Sequence, residues 1–381
     1  MAGYIFTIDD INSIEESIYD GVYGTVIKNP ENKYWHTHHE GTFADYITMQ
    51  EGDNVYFLHQ RKIYGIGELI NINGDCKFLN FPDSDLPYIF IFNDIKEDMI
   101  INRSEKDVNK RMVCIFKGSP HFFKNGVDMD EVLSSNPAKF KMLRAFWRLS
   151  FIKIDDEENK ALMDVILKNN EENLLERRNI YEENRNVHER IRHLLEAKGV
   201  GNYKVNADKI LSEAYGSEGK IKHEMALEAG ILDYISNKKG DVFGDWDYVS
   251  HQVVASPFKP VDYMDKMDIF GYRYIPGFQT ISKYLVIEIK KGVAQMDDLK
   301  QVMKYVDWVN HEYGFGNYNM IEAFLVAYDF SDKVKEQKNK IAVRNYVKGT
   351  RPVVSMEWDN LKLVKYRFNP KENGLELWET N

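Results

Sequence analysis

Asp268, Glu288 and Lys290 are the side chains whose types and spacing could do chemistry. They lie in Met267-Asp-Ile-Phe-Gly-Tyr272 and in Tyr284-Leu-Val-Ile-Glu-Ile-Lys-Lys-Gly292. The apolar run Tyr284–Ile289 predicts a strand buried on at least one face, yet Glu288 and Lys290 interrupt it two residues apart. Side chains alternate along a strand, so both project to the same face. A hairpin through Gly277 would set Asp268, itself bracketed by apolar residues, beside them. Two carboxylates and an ammonium would then meet at one sheet edge. Burying such charges costs several kcal/mol unless they pair with one another or bind a cation. Two acidic oxygens and the Ile289 carbonyl are hard donors suited to Mg²⁺, with Mn²⁺ as a substitute. Lys290 would then orient or deprotonate a metal-polarised water for attack on a phosphodiester. The competing reading is a plain Glu288–Lys290 salt bridge on an exposed face. Asp268 at hairpin distance and the apolar flanks favour the site.

The elements that must position these residues follow from the pattern of residues 203–381. A helix is predicted over Ile221–Ser236 and strands near Trp246–Val254, Met267–Tyr272 and Tyr284–Ile289. A helix over Ala294–Trp308, a strand over Ala323–Tyr328 and further strands at Val353–Trp358 and Leu361–Phe368 complete it. On the first helix Glu224 and Glu228 stand one turn apart on one face.

Asp-x-x-Gly, a turn, then hydrophobic-Glu-x-Lys-x-Gly, then Gln301-Val-Met-Lys-Tyr-Val-Asp-Trp308 resembles the PD-(D/E)xK nuclease superfamily. Within it the chain looks most like the NucS-like endonuclease domain, over about Ile221 to Tyr328. The resemblance implies an upstream helix glutamate, matched best by Glu228, and a following helix whose glutamine and tyrosine match Gln301 and Tyr305. It implies Asp268, Glu288, Lys290, Glu228 and Gln301 as catalytic residues, with Tyr305 beside the substrate. A solvated helix acid and an ordinary polar helix residue are the plainer readings of Glu228 and Gln301. The inserted Tyr272-Arg-Tyr-Ile-Pro-Gly-Phe-Gln279 departs from the pattern and weakens any transfer of a precise substrate.

Residues 1–170 read as one domain of strands and turns closed by helices. Glu51–Ile70 is a hairpin with a polar tip at Gln60-Arg61-Lys62, and Gly65 and Gly67 mark a bend or a close backbone approach. Tyr88–Phe92 and Met112–Phe116 read as strands, Asp128–Leu133, Lys139–Leu149 and Glu157–Asn169 as helices. Gly52-Asp-Asn-Val-Tyr-Phe, Ile63-Tyr-Gly-Ile-Gly-Glu and Phe116-Lys-Gly-Ser-Pro resemble PUA-like barrels of the EVE and YTH type. That resemblance implies an aromatic pocket for a flipped or modified base, with Trp35, His36, Tyr46 and Phe57 as candidates alongside His38 and His39. The alternative is that the aromatics are core and the histidines an exposed loop.

The fold class is therefore α/β and α+β in two domains. An N-terminal PUA-like β-barrel with helices (1–170) precedes a charged helical linker (171–202). A C-terminal restriction-endonuclease-like mixed sheet flanked by helices (203–381) follows. In the linker, Val187, Ile191, Leu194 and Leu195 share one face and Gly199 and Gly201 supply a stop. It reads as a connecting helix or a dimerisation arm.

Composition limits the partners. The 381 residues carry a formal net charge of −10, unfavourable for gripping a polyanion. Residues 1–100 hold 6 basic and 17 acidic side chains, residues 201–381 hold 25 and 26. Nucleic-acid contact is thus expected to be local and to start in the C-terminal half. A 43 % hydrophobic, 13 % aromatic chain excludes disorder as the dominant state. No apolar run is long enough to span a bilayer. Cys76 and Cys114 fit no metal or redox spacing, and the acidic start lacks the basic signature of an export signal, so a cytoplasmic protein is expected. The expectation is a Mg²⁺-dependent DNA endonuclease of restriction or defence, with a homodimer to cut both strands. A nuclease for RNA or for branched or single-stranded DNA, and a non-catalytic nucleic-acid binder, are the alternatives.

Overall fold

The computed structural model describes the chain except residues 31, 33, 119–121, 124, 146–150, 177–182, 238–241, 256–264 and 381. The chain divides into two compact units, Met1–Asn206 and Ala207–Asn381.

The first unit is built on a mixed sheet of eight strands. These are β1 (Gly3–Thr7), β2 (Val22–Val26), β3 (Asn54–His59), β4 (Lys62–Leu69), β5 (Lys77–Leu79), β6 (Lys110–Lys117), β7 (Val127–Asp128) and β8 (Phe151–Ile154). The main order is β2-β6-β4-β3-β1-β8, with β5 on β6 and β7 on β4. The sheet curls as half a barrel and keeps β2 and β8 as ends of the main path. Among the described strand pairs of this unit only β1 and β3 run parallel. The close approach anticipated at Gly65 and Gly67 is real. A Cβ on Gly65 would stand 2.5 Å from the Tyr56 ring, and one on Gly67 would stand 2.5 Å from the Phe122 ring.

Two expectations fail here for physical reasons. Tyr88–Phe92 is not a strand: Phe92–Ile95 is helical and the residues before it are a loop. The Tyr88 carbonyl and those of the loop before it are taken by a side chain instead of a neighbouring strand. The buried Arg111 guanidinium donates to the carbonyls of Ser84, Leu86 and Tyr88, and to Ile27 O and Asn29 Oδ1. The charged linker is the second correction. Its helix Arg185–Lys198 lays Ile191 and Leu195 into a core with Val22, Val113 and Ile115, so it belongs to the first unit. Gly199, at φ +86°, ends that helix. The segment 177–182 and the last residues of the expected helix Lys139–Leu149 lie outside the described residues.

The second unit follows the order helix, three strands, helix, strand. Helix Glu224–Ser236 leads to β9 (Tyr248–Val254), β10 (Lys266–Tyr274) and β11 (Ile281–Ala294). Helix Met296–Val309 then leads to β12 (Ile321–Phe330). A two-stranded ribbon, β13 (Arg344–Thr350) and β14 (Val353–Trp358), precedes β15 (Leu361–Asn369) and β16 (Gly374–Thr380). The sheet order is β16-β15-β12-β11-β10-β9. Strands β9, β10 and β11 are antiparallel neighbours, whereas β11, β12 and β15 are parallel. The central parallel strands are buried where their apolar runs lie, along Tyr284–Ile289 of β11 and Ala323–Ala327 of β12. Gly277 sits at φ +84° in the β10–β11 turn, a backbone region that favours glycine. Among the described residues no helix is long and apolar enough to cross a membrane.

Candidate active site

The pairing of β10 with β11 places the acids. Ile269 pairs with Ile287, which sets Asp268 next to Glu288 across the two strands. The Asp268 carboxylate then takes over a ladder position, its Oδ2 accepting the Ile289 N–H at 2.7 Å. Glu288 and Lys290 share a face as the strand period dictates, and Lys290 Nζ donates to Glu288 Oε1 at 2.6 Å. Helix Glu224–Ser236 supplies two more carboxylates. Glu224 Oε1 lies 3.9 Å from Lys290 Nζ, and Glu224 Oε2 accepts the Lys291 N–H at 3.1 Å. Glu228 is reached through Gln252 of β9, whose Nε2 donates to both Glu228 oxygens at 3.0 and 3.1 Å and stands 3.5 Å from Asp268 Oδ1. His251 Nδ1 is 3.7 Å from Glu228 Oε2.

These acids are well out of water: Glu288 is 0 %, Glu228 3 % and Asp268 8 % exposed. Burial, with Glu288 and Glu228 adding, holds the Asp268 carboxyl well above the ordinary carboxylate range, against the pull of the Ile289 N–H and Lys290. Burial lifts Glu288 to about 7 while Lys290 opposes the rise. Burial alone would make Lys290 less basic, but Glu288, Asp268 and Glu224 outweigh it and keep its pKa above the ordinary value. Lys290 therefore holds its proton.

On helix Met296–Val309, Gln301 Nε2 donates to Tyr305 Oη at 3.0 Å. Burial raises the Tyr305 hydroxyl to about 12, with the charges of Glu288 and Asp268 adding. Tyr305 is buried and lies within electrostatic reach of Glu288 and Asp268.

The donor set suits a hard cation. Glu288 Oε2 is buried and has no hydrogen-bond partner among the described residues, and both Glu228 oxygens accept from a neutral amide. Oxygen donors without a thiol or close imidazole pair fit Mg²⁺ or Mn²⁺. As the side chains stand, no group of three or more His, Cys, Asp or Glu among the described residues is already spaced to close on a metal. Lys290 and Gln252 occupy acid oxygens that a cation would need.

The first unit corrects the base-pocket expectation. Trp35 is 3 % exposed and Tyr46 and Phe57 are 0 % exposed. Trp35 donates its indole N–H to Asp85 O at 2.7 Å and lies against Arg111. Phe57 packs edge-on with Phe6, Tyr23 and Phe116. None offers a ring face to a base, because the hydrophobic core of this sheet has claimed all three. His36 remains partly accessible, with its ring 5.7 Å from Tyr34 and stacked 5.8 Å from His38.

Gln252 and His251 were missed from sequence. Strand β9 was legible, but nothing in its residue order marks which side chain would meet Glu228.

No family model matches the chain, and no curated protein matches it. Among solved structures it is similar to a repair endonuclease from Pyrococcus abyssi, 21 % identical over 30 % of this chain and 42 % of that one, at TM-score 0.22. The chain thus spans under half of that protein's length. A Rhodopseudomonas palustris protein is 15 % identical over 43 % of this chain and 92 % of its own, at TM-score 0.26. A Leishmania major protein is 15 % identical over 46 % and 97 %, at TM-score 0.28. At such scores these likenesses fix neither fold nor activity.

Proposed function

We propose that the second unit is a divalent-metal-dependent endonuclease that hydrolyses phosphodiester bonds of DNA, its sheet a restriction-endonuclease-like arrangement. The observation that carries the reading is the convergence of Asp268, Glu288 and Lys290 on one strand pair, with Glu228 brought up to them by the preceding helix. So many buried acids around one ammonium are costly as structure alone, and such costs concentrate at functional sites.

Asp268, Glu288 and the Ile289 carbonyl would hold the metal. When bound, Mg²⁺ supplies a polarised water and charge neutralisation at the phosphate. The chain's own groups do the rest. Lys290, kept protonated by Glu288, is a cation free to swing toward a phosphoryl oxygen once the acid has another partner. Glu228 orients water from the helix side. Gln301 holds Tyr305 against the site and fixes the wall the substrate passes.

For the first unit we propose selection of the nucleic acid through the accessible rings of His36 and His38, the expected candidates outside the core, with Tyr34 beside them. Recognition of a modified base, in a restriction or defence setting, is the finer form of this reading.

The test is cleavage of unmodified, methylated and hydroxymethylated duplexes, of RNA and of branched DNA, in Mg²⁺, Mn²⁺ or EDTA. Lys290→Ala should lower metal-dependent cutting by at least about a hundredfold, the scale of losing one charge-stabilising donor. Cutting in EDTA, or unchanged cutting by Lys290→Ala, would sink the proposal. Cutting restricted to RNA or to branched DNA would move the substrate and keep the site.

A further inference from the structure

Gln252 stands where a strand residue should not. It lies between the Met267–Val253 and Ile269–His251 pairs of β9 and β10, which sets it opposite Asp268. Its backbone is at φ +51°, a left-handed conformation that non-glycine residues rarely adopt and that is foreign to a strand interior. The distortion delivers its amide between two acids of different elements: Nε2 is 3.0 and 3.1 Å from the Glu228 oxygens and 3.5 Å from Asp268 Oδ1. A cation held by Asp268 would meet this amide, whose donors face the Asp268 and Glu228 oxygens. A glutamine amide offers donors at one end and an acceptor oxygen at the other, in nearly the same shape.

We propose that Gln252 is a two-position ligand of the metal centre: its NH₂ latches Glu228 to Asp268 when the cation is absent, and its Oε1 turns inward to ligate the cation when it binds. The inference rests on the metal-dependent reading of the site and deepens it. Donors aimed at carboxylates repel an entering cation, so the amide must turn or withdraw for the metal to bind. Turning converts the obstacle into a hard oxygen ligand of the kind Mg²⁺ and Mn²⁺ accept. The turn also frees both Glu228 oxygens, which the latch otherwise occupies. His251, 3.7 Å from Glu228 Oε2, borders the same acid and limits where it can move.

The probe is Mn²⁺ alone, titrated by calorimetry into the full chain without nucleic acid, for wild type, Gln252→Met and Gln252→Glu. Methionine keeps the length and removes both donor and acceptor, and should weaken Mn²⁺ binding at least about tenfold, the low end for losing a group that serves a metal site. Glutamate should tighten Mn²⁺ binding and lower the melting temperature in EDTA, because another carboxylate then faces Glu228 without its latch. Mn²⁺ bound by Gln252→Met as tightly as by wild type would overturn the proposal, as would Gln252→Glu binding no tighter than wild type. Should the methionine variant not fold, the glutamate variant decides by its affinity and its EDTA melting point. Wild type that binds no Mn²⁺ would instead overturn the metal-dependent reading itself.

Discussion

Replacing Glu288 by glutamine should make the metal-free protein more stable while removing its proposed chemistry. Glu288 is fully buried, and burial, opposed by Lys290, moves its carboxyl from 4.5 to about 7. The folded state therefore keeps a proton that the unfolded chain has already lost. Stability falls as pH rises from 4.5 to about 7, and the full loss is present above that. At roughly 1.4 kcal/mol per pH unit the ionised side chain costs about 3 kcal/mol of stability at pH 8. Glutamine keeps the shape and still accepts a hydrogen bond from Lys290, but it never ionises. The Glu288→Gln variant should thus match wild type at pH 4.5 and exceed it by about 3 kcal/mol at pH 8, or roughly 6–12 °C for a unit of this size. The assay is urea and thermal denaturation in EDTA at pH 4.5, 6 and 8. In saturating Mg²⁺ the order should reverse, because only wild type gains the binding energy of the metal. A variant no more stable than wild type at pH 8, or a gap that ignores pH, would refute the argument that Glu288 is a strained acid awaiting a cation.

The first unit should lose stability in mild acid. Burial, with His38, His36 and Arg111 adding, lowers His39 to about 4. The unfolded chain takes up the proton near pH 6.5, so stability present above that value is lost as pH falls toward 4. The ring is half-exposed and water screens part of the effect; His39→Phe, which keeps the edge-on packing against Trp35, should show a shallower fall in melting temperature over this range. An unchanged slope would place the acid sensitivity elsewhere. Arg111→Met should cost more than about 3 kcal/mol in urea denaturation, since it strands the carbonyls of Ile27, Ser84, Leu86 and Tyr88 together; a loss below about 1 kcal/mol would show that the loop finds other donors.

The strand pair that carries the acids was legible because its signal is local and periodic. Glu288 and Lys290 break an apolar run two residues apart, and the alternation of side chains in a strand puts both on one face. Gly277 supplies the turn, and the antiparallel register does the rest. The helix Glu224–Ser236 was equally plain, and Gln252 donates to Glu228, the acid the resemblance favoured over Glu224. Where the reading failed, the deciding partner was distant in sequence. Trp35, Tyr46 and Phe57 look like a base pocket by type, but a curled sheet of this size has to fill its own interior and aromatics fill it best. Tyr88–Phe92 looks like a strand by composition, yet Arg111 claims its neighbouring carbonyls from more than twenty residues away. Gln252 is the sharpest case. Its backbone departs from the strand around it, and the reason lies with Glu228 on a helix and Asp268 on the next strand, neither of which any periodicity within β9 could reveal. A strained position of this kind persists only where its surroundings over-determine it. The place where strand rules break is therefore the place from which the proposed metal chemistry is best tested.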